Sequence, residues 1–189
     1  MKKNMRKHNK YTLIVIAIIT TALFATGCED KQIVEANKLV DSANQKMNDA
    51  KPLITAAIDK FGKISDKMED FEESKQAHEA EVKALMSSYD KIAELQKGAA
   101  ADFGQAAKLS KDEAFKSYYE MSAKNVENSA AQVGQNRAIA QAYLDSKTEE
   151  DYAAKVSTVK TKSDSLKKEG DDITAKLKKL EEAVNAKNK

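Results

Sequence analysis

His78 is the one histidine beyond position 8, and Lys75 stands three residues before it. An imidazole on a bundle helix is a candidate haem or metal ligand. Di-metal bundle sites need repeated Glu-x-x-His pairs and further inward glutamates. Here the residues before His78 are "KQA", so that pattern is absent. On a helix Lys75 and His78 share a face, and an ammonium there opposes a bound cation. The expectation is a polar layer that fixes helix register, or a point where the helix leaves the core. No metal, haem or other cofactor is expected.

The other reactive side chains give no constellation. Met47, Met68, Met86 and Met121 are dispersed, unlike a copper-binding cluster. Core packing is the expected role of Met47 and Met68. Phe115, Tyr118 and Tyr119 adjoin one another, and with Tyr89, Tyr143 and Tyr152 they are candidates for lining a small-molecule pocket. Capping of a core by these rings is the simpler expectation, each hydroxyl needing one polar neighbour. No Gly-x-Ser-x-Gly, Cys–His pair or glycine-rich phosphate loop is present. "SLKK" at Ser165 falls inside a helical pattern, where Leu166 accounts for it, and "NSA" at 128–130 is not a sequon. The chain is read as a non-enzyme with no catalytic residue.

Only helices of some length can position such residues here. The chain has one proline, no tryptophan and six glycines, with much Ala, Lys, Glu and Asp. That mixture favours helix over strand. It is also compatible with disorder, since 33% of residues are charged and 6% aromatic; periodicity decides. Residues 33–95 fall into sevens whose first column is Ile33, Val40, Met47, Ile54, Phe61, Met68, Lys75, Val82, Tyr89. The fourth column is Ala36, Ala43, Ala50, Ala57, Ile64, Phe71, His78, Leu85, Ile92. Only the row of Lys75 and His78 is polar in both columns. A disordered chain does not hold this spacing, so the columns form a seam buried against other helices. Four successive alanines point to close helix approach. Phe61, Ile64 and Phe71 are expected to be buried.

A second seam runs Tyr152, Val156, Val159, Ser163, Leu166, Gly170, Ile173, Leu177, Leu180, Val184, opened by the capping sequence "TEED" at 148–151. Between the two, "SKDE" at 110–113 is expected to open a third helix. Its inner face is Phe115, Tyr119, Ser122, Val126, Ser129, Val133, Asn136, Ala140, Tyr143. Small and hydroxylated side chains dominate the middle of that face, so close packing with hydrogen bonds in the seam is expected. The map is helix over about 30–50, 53–97, 111–145 and 148–187. Pro52 either starts a helix or kinks a continuous one. Residues 98–109, holding Gly98 and Gly104, are expected to form a loop with a helical turn. The fold class is all-α: an elongated antiparallel bundle of three to four long helices with coiled-coil-like heptad seams.

The N-terminus sets the compartment. Lys2, Lys3, Arg6, Lys7 and Lys10 precede the uncharged run "YTLIVIAIITTALFA" at 11–25. A positive start, a short apolar core and small residues describe an export signal, and the run is shorter than the roughly 20 residues of a spanning helix. Next comes "ATGC", ending in Cys28, the chain's one cysteine. This resembles the lipobox of bacterial lipoproteins, with Ala25 standing where leucine is usual. The resemblance covers residues 1–28. It implies cleavage before Cys28 and attachment of diacylglycerol to its thiol, with acyl chains of the palmitate type. Two such chains anchor stably at about 0.8 kcal/mol per buried methylene. The implied domains are a signal peptide at 1–27 and a lipid-anchored bundle at 28–189.

Without residues 1–27 the charge changes sign. The whole chain has 32 Lys+Arg against 30 Asp+Glu; the signal holds five of the basic residues and no acid, leaving a net −3. No basic block with interleaved aromatics exists, so nucleic acid is not an expected partner. The expected partners are the membrane, through the N-terminal lipid, and a protein whose identity the sequence does not give. The expected place is the bacterial envelope. Glu29 after the cysteine, where an aspartate would resemble an inner-membrane retention signal, favours the periplasmic face of the outer membrane. In a single-membrane cell the extracellular face is expected. The functional expectation is a structural or protein-interaction module, the alternative being a small-ligand-binding, sensor-like bundle.

Overall fold

The computed structural model describes residues 31–66 and 71–187, with side chains at 65–66, 72–74 and 187 left aside. Residues 1–30, and with them Cys28 and the signal sequence, lie outside the described residues, as does Met68. Four helices run α1 Lys31–Asp66, α2 Phe71–Leu109, α3 Glu113–Asp145 and α4 Glu149–Lys187. Among the described residues there is no strand, and no helix is long and apolar enough to cross a membrane.

The order in space follows the order in sequence. α2 lies against both α1 and α3, and α4 lies against α3. Neighbours are antiparallel: Lys46 meets Asp102, Gln96 meets Ser129, and Asn128 meets the Leu166 carbonyl. Helices of 33 to 39 residues are about 50–60 Å long, so the bundle is elongated. Two apolar clusters fill it. One joins Val40, Ala43 and Met47 of α1 to Phe103 and Ala106 of α2, Tyr119 and Val126 of α3, and Val184 of α4. The other joins Phe61 and Ile64 to Leu85, Tyr89, Ile92 and Tyr143.

Most of the heptad columns are buried, but Ile33 at their start is exposed, and Ile54, Lys75 and His78 are half-buried. Ala36, Ala43, Ala50, Ala57, Ile64, Leu85 and Ile92 are all 5% exposed or less. Phe61 is buried as expected, while Phe71, in the first turn of α2, is half-buried. Every second-seam residue in α4 is buried or half-buried; the seam there rests on one principal neighbour.

One expected element is corrected: the helix expected over 53–97 is divided, α1 ending at Asp66 and α2 starting at Phe71. The seam keeps its phase across 67–70, "KMED", so counting heptads does not register the division, and no Gly or Pro punctuates it. Of the two readings left open at Pro52, the continuous helix is the one present: α1 runs from Lys31 to Asp66 with Pro52 inside it. Pro52 is exposed, so the carbonyl of Asn48, deprived of its N–H partner, faces water.

The loop expected at 98–109 is also helix. Alanines at 99–101 and 106–107, the best helix formers, outweigh two glycines at about 1 kcal/mol each. Gly98 has a packing reason. A Cβ there would lie 3.3 Å from Cδ of Lys46, whose stem crosses this point to place its ammonium on Asp102. The α2–α3 junction therefore shrinks to residues 110–112. Ser110 belongs to the exit of α2, its hydroxyl donating to the Ala106 carbonyl at 2.9 Å. The cap of α3 is Asp112, whose carboxylate accepts from the Ala114 N–H at 2.8 Å.

Candidate functional site

α3 holds most of the buried polar residues, Ser122, Asn125, Asn128 and Ser129, with Gln96 in α2 and Ser146 just past the end of α3. α3 is covered by α2 on one side and α4 on the other, so residues on both flanks are buried, including Tyr118, Ala123, Asn125, Asn128, Ala130 and Ala142 outside the expected single face. Towards α2, the fully buried Gln96 donates through Nε2 to Ser129 Oγ at 2.8 Å. Its Oε1 is buried with no hydrogen-bond partner among the described residues. Exchanging the amide's two ends would instead strand its N–H groups. Towards α4, Asn128 Nδ2 donates to the Leu166 carbonyl at 3.0 Å, and its Oδ1 accepts from Gln132 Nε2 at 2.6 Å. Gly170 of α4 makes this fit possible: a Cβ there would stand 2.9 Å from Asn128 Oδ1. Ser122 donates to the Tyr118 carbonyl at 2.8 Å. Apart from Gln96 Oε1, the polar atoms named here pair with one another or with backbone.

The aromatic residues gather at the two ends. Phe71, Tyr143 and Tyr152 form one set, with ring centroids 5.3 to 5.8 Å apart. Phe115, Tyr118 and Tyr119 form the other at the opposite end. Tyr89 packs in the core near the first set. Burial pushes the hydroxyls of Tyr89, Tyr118 and Tyr152 up to about 12. The two end sets close the apolar clusters as expected of them, whereas Tyr89 lies within the core.

The row of Lys75 and His78 sits beside the α3–α4 junction. Lys75 Nζ donates to the Ser146 carbonyl at 2.7 Å, meeting the negative end of α3. His78 is half-buried and reaches Glu81 Oε2 with Nδ1 at 3.1 Å. Sequence reasoning placed both on the seam; the carbonyl partner of Lys75 depends on where α3 ends, which no local pattern states. Among the described residues no group of three or more His, Cys, Asp or Glu is gathered as a metal site. Thr148 accepts from the Asp151 N–H at 3.2 Å, as "TEED" implied. Asp151 is held below the usual carboxylate range, first by its hydrogen bond from Lys155. Met47 is in the core, and Met121 lines the flank.

An open groove of about 410 Å³ lies between α3 and α4, lined by Ser117, Glu120, Met121, Lys124, Lys176, Lys179 and Leu180. It is a trough on the surface, walled mostly by long side chains. No family model, curated protein or solved structure matches this chain.

Proposed function

We propose that this chain is a bacterial envelope lipoprotein, anchored through Cys28, whose bundle works as a structural or protein-interaction module. The observation that carries it is the sequence "YTLIVIAIITTALFATGC", a charge-free run closing on the one cysteine, three residues before α1. Thioether attachment of lipid gives that thiol a use in an exported protein. The bundle supports action through surfaces: its buried polar groups hold helices together, and the groove between α3 and α4 is open. An open groove suits a partner's side chains better than an enclosed small ligand. The envelope face follows from the anchor, with the outer membrane favoured where there are two.

The test is metabolic labelling with a palmitate analogue. The parent should label and run at the size of residues 28–189. Cys28→Ala should accumulate as an unlabelled precursor; equal labelling of the two would refute the anchor.

A further inference from the structure

We infer that the bundle stands end-on upon the membrane, its α1 N-terminus and 110–112 turn facing the lipid and its 146–148 turn held about 50 Å away. This rests on the proposed acylation of Cys28. The first argument is reach. Cys28 precedes Lys31 by three residues, and three residues of fully extended chain span at most about 11 Å. The start of α1 is therefore at the lipid surface, with no linker to let the bundle roam.

The second argument concerns the flanks. A bundle lies flat when one side offers apolar groups or a uniform positive field. The described flanks offer neither. The long apolar side chains along them are buried or half-buried, with one exception: Ile33 is 44% exposed, the exposed large hydrophobic of the described residues. It lies in the first turns of α1, beside the anchor. The exposed charges of α4 are mixed in sign: Lys162, Lys167, Lys176 and Lys179 stand among Asp164, Glu169, Asp171 and Asp172. Such a mixture gains little from an anionic surface, since its acids are repelled as its lysines are attracted. The described lipid-seeking group thus coincides with the tether.

The third argument is which elements share that end. Ala36 of α1 packs in one cluster with Ala106 and Ala107 of α2, Tyr118 and Tyr119 of α3, and Val184 of α4. The end nearest the anchor therefore carries the 110–112 turn and the last turns of α4. Phe71, Tyr143 and Tyr152 close the far end, which is presented outward to whatever lies beyond the membrane.

The chain has no tryptophan, so one introduced indole reports one place. Full-length protein carrying Ile33→Trp or Lys147→Trp would be purified from membranes with its lipid and reconstituted into phosphatidylethanolamine–phosphatidylglycerol vesicles. A dansyl headgroup lipid serves as energy acceptor. Strong transfer from Ile33→Trp with little from Lys147→Trp is the expected result. Comparable transfer from both would mean a bundle lying flat and would overturn the inference. Protein that sediments with vesicles but transfers from neither position would also overturn it, leaving the anchor intact. Protein that stays in the supernatant, with an N-terminal peptide of unacylated mass, would remove the anchor and the inference together.

Discussion

Gln96 is the residue at which stability and polarity conflict. Its Oε1 is buried without a partner among the described residues, while its Nε2 binds Ser129. Gln96→Met keeps the length and approximate shape of the side chain and removes both polar ends. An unsatisfied buried group costs about 1–3 kcal/mol, and the lost bond to Ser129 is worth about 0.5–1.5 kcal/mol. The Ser129 hydroxyl keeps an alternative, the carbonyl four residues back, as Ser122 uses that of Tyr118. The thioether adds apolar burial. The balance favours the variant by about 1 kcal/mol, or roughly 2–4 °C in Tm for a domain of this size. Urea unfolding of the soluble part, residues 29–189, followed by far-UV circular dichroism, measures it; the slope should not change. A loss of about 1 kcal/mol or more would show that Oε1 is satisfied in solution and that the pair contributes to stability.

Pro52→Ala restores the N–H that the Asn48 carbonyl lacks and should stabilise by up to about 3 kcal/mol, measured in the same urea experiment; no gain would place a helix boundary at Pro52. Two glycines should respond with opposite signs: Gly134→Ala, whose new Cβ meets nothing within 4 Å, should gain about 0.5–1 kcal/mol. Gly170→Ala should lose stability through displacement of Asn128, and the sign is read from paired thermal melts. Phe71→Ala removes a half-buried ring that meets Tyr143 edge-on and Tyr152 at a tilt and should cost about 2–3 kcal/mol; an unchanged Tm would refute its place in the cap. Tyr89, Tyr118 and Tyr152 ionise near 12 when folded, against 10 when unfolded. The folded state holds its phenolic protons more tightly, so this contribution is whole below pH 10 and is lost as pH rises through 12. Tyrosinate absorbance and circular dichroism should change together in that window.

The heptad columns made Ala43, Met47, Ile64, Leu85 and Ile92 legible as core, because a 3,4 spacing has one physical use over such a length. The division between α1 and α2 was not legible. Sequence punctuation is Gly and Pro, yet "KMED" has neither, whereas Pro52 lies within a helix and Gly98 within another. In both helices packing along a whole face outweighs one unfavourable residue. The second buried flank of α3 was hidden for a different cause. A helix covered from two sides carries small and polar residues nearly all round, so no single stripe stands out. Asn128 is the example: it looks like a surface residue until Gly170 of α4 is brought against it. The proposed anchor rests on residue types alone, whereas the proposed orientation of the bundle rests on the fold as well.

α4 has α3 as its principal neighbour, and among its described side chains only Gly170, Ile173 and Val184 are buried. Its backbone amides should therefore exchange with deuterium well before those of α2, which is gripped from both sides. Such openings need not proceed through global unfolding, since α4 can detach while the α1–α2–α3 core stays closed. Native-state exchange would then resolve the molecule into two cooperative units rather than one. Detachment bares the Asn128–Gln132 flank of α3, a strip already shaped to receive a helix. A short-lived opening of this kind makes the outermost helix replaceable by one from another chain, without any rearrangement of the rest.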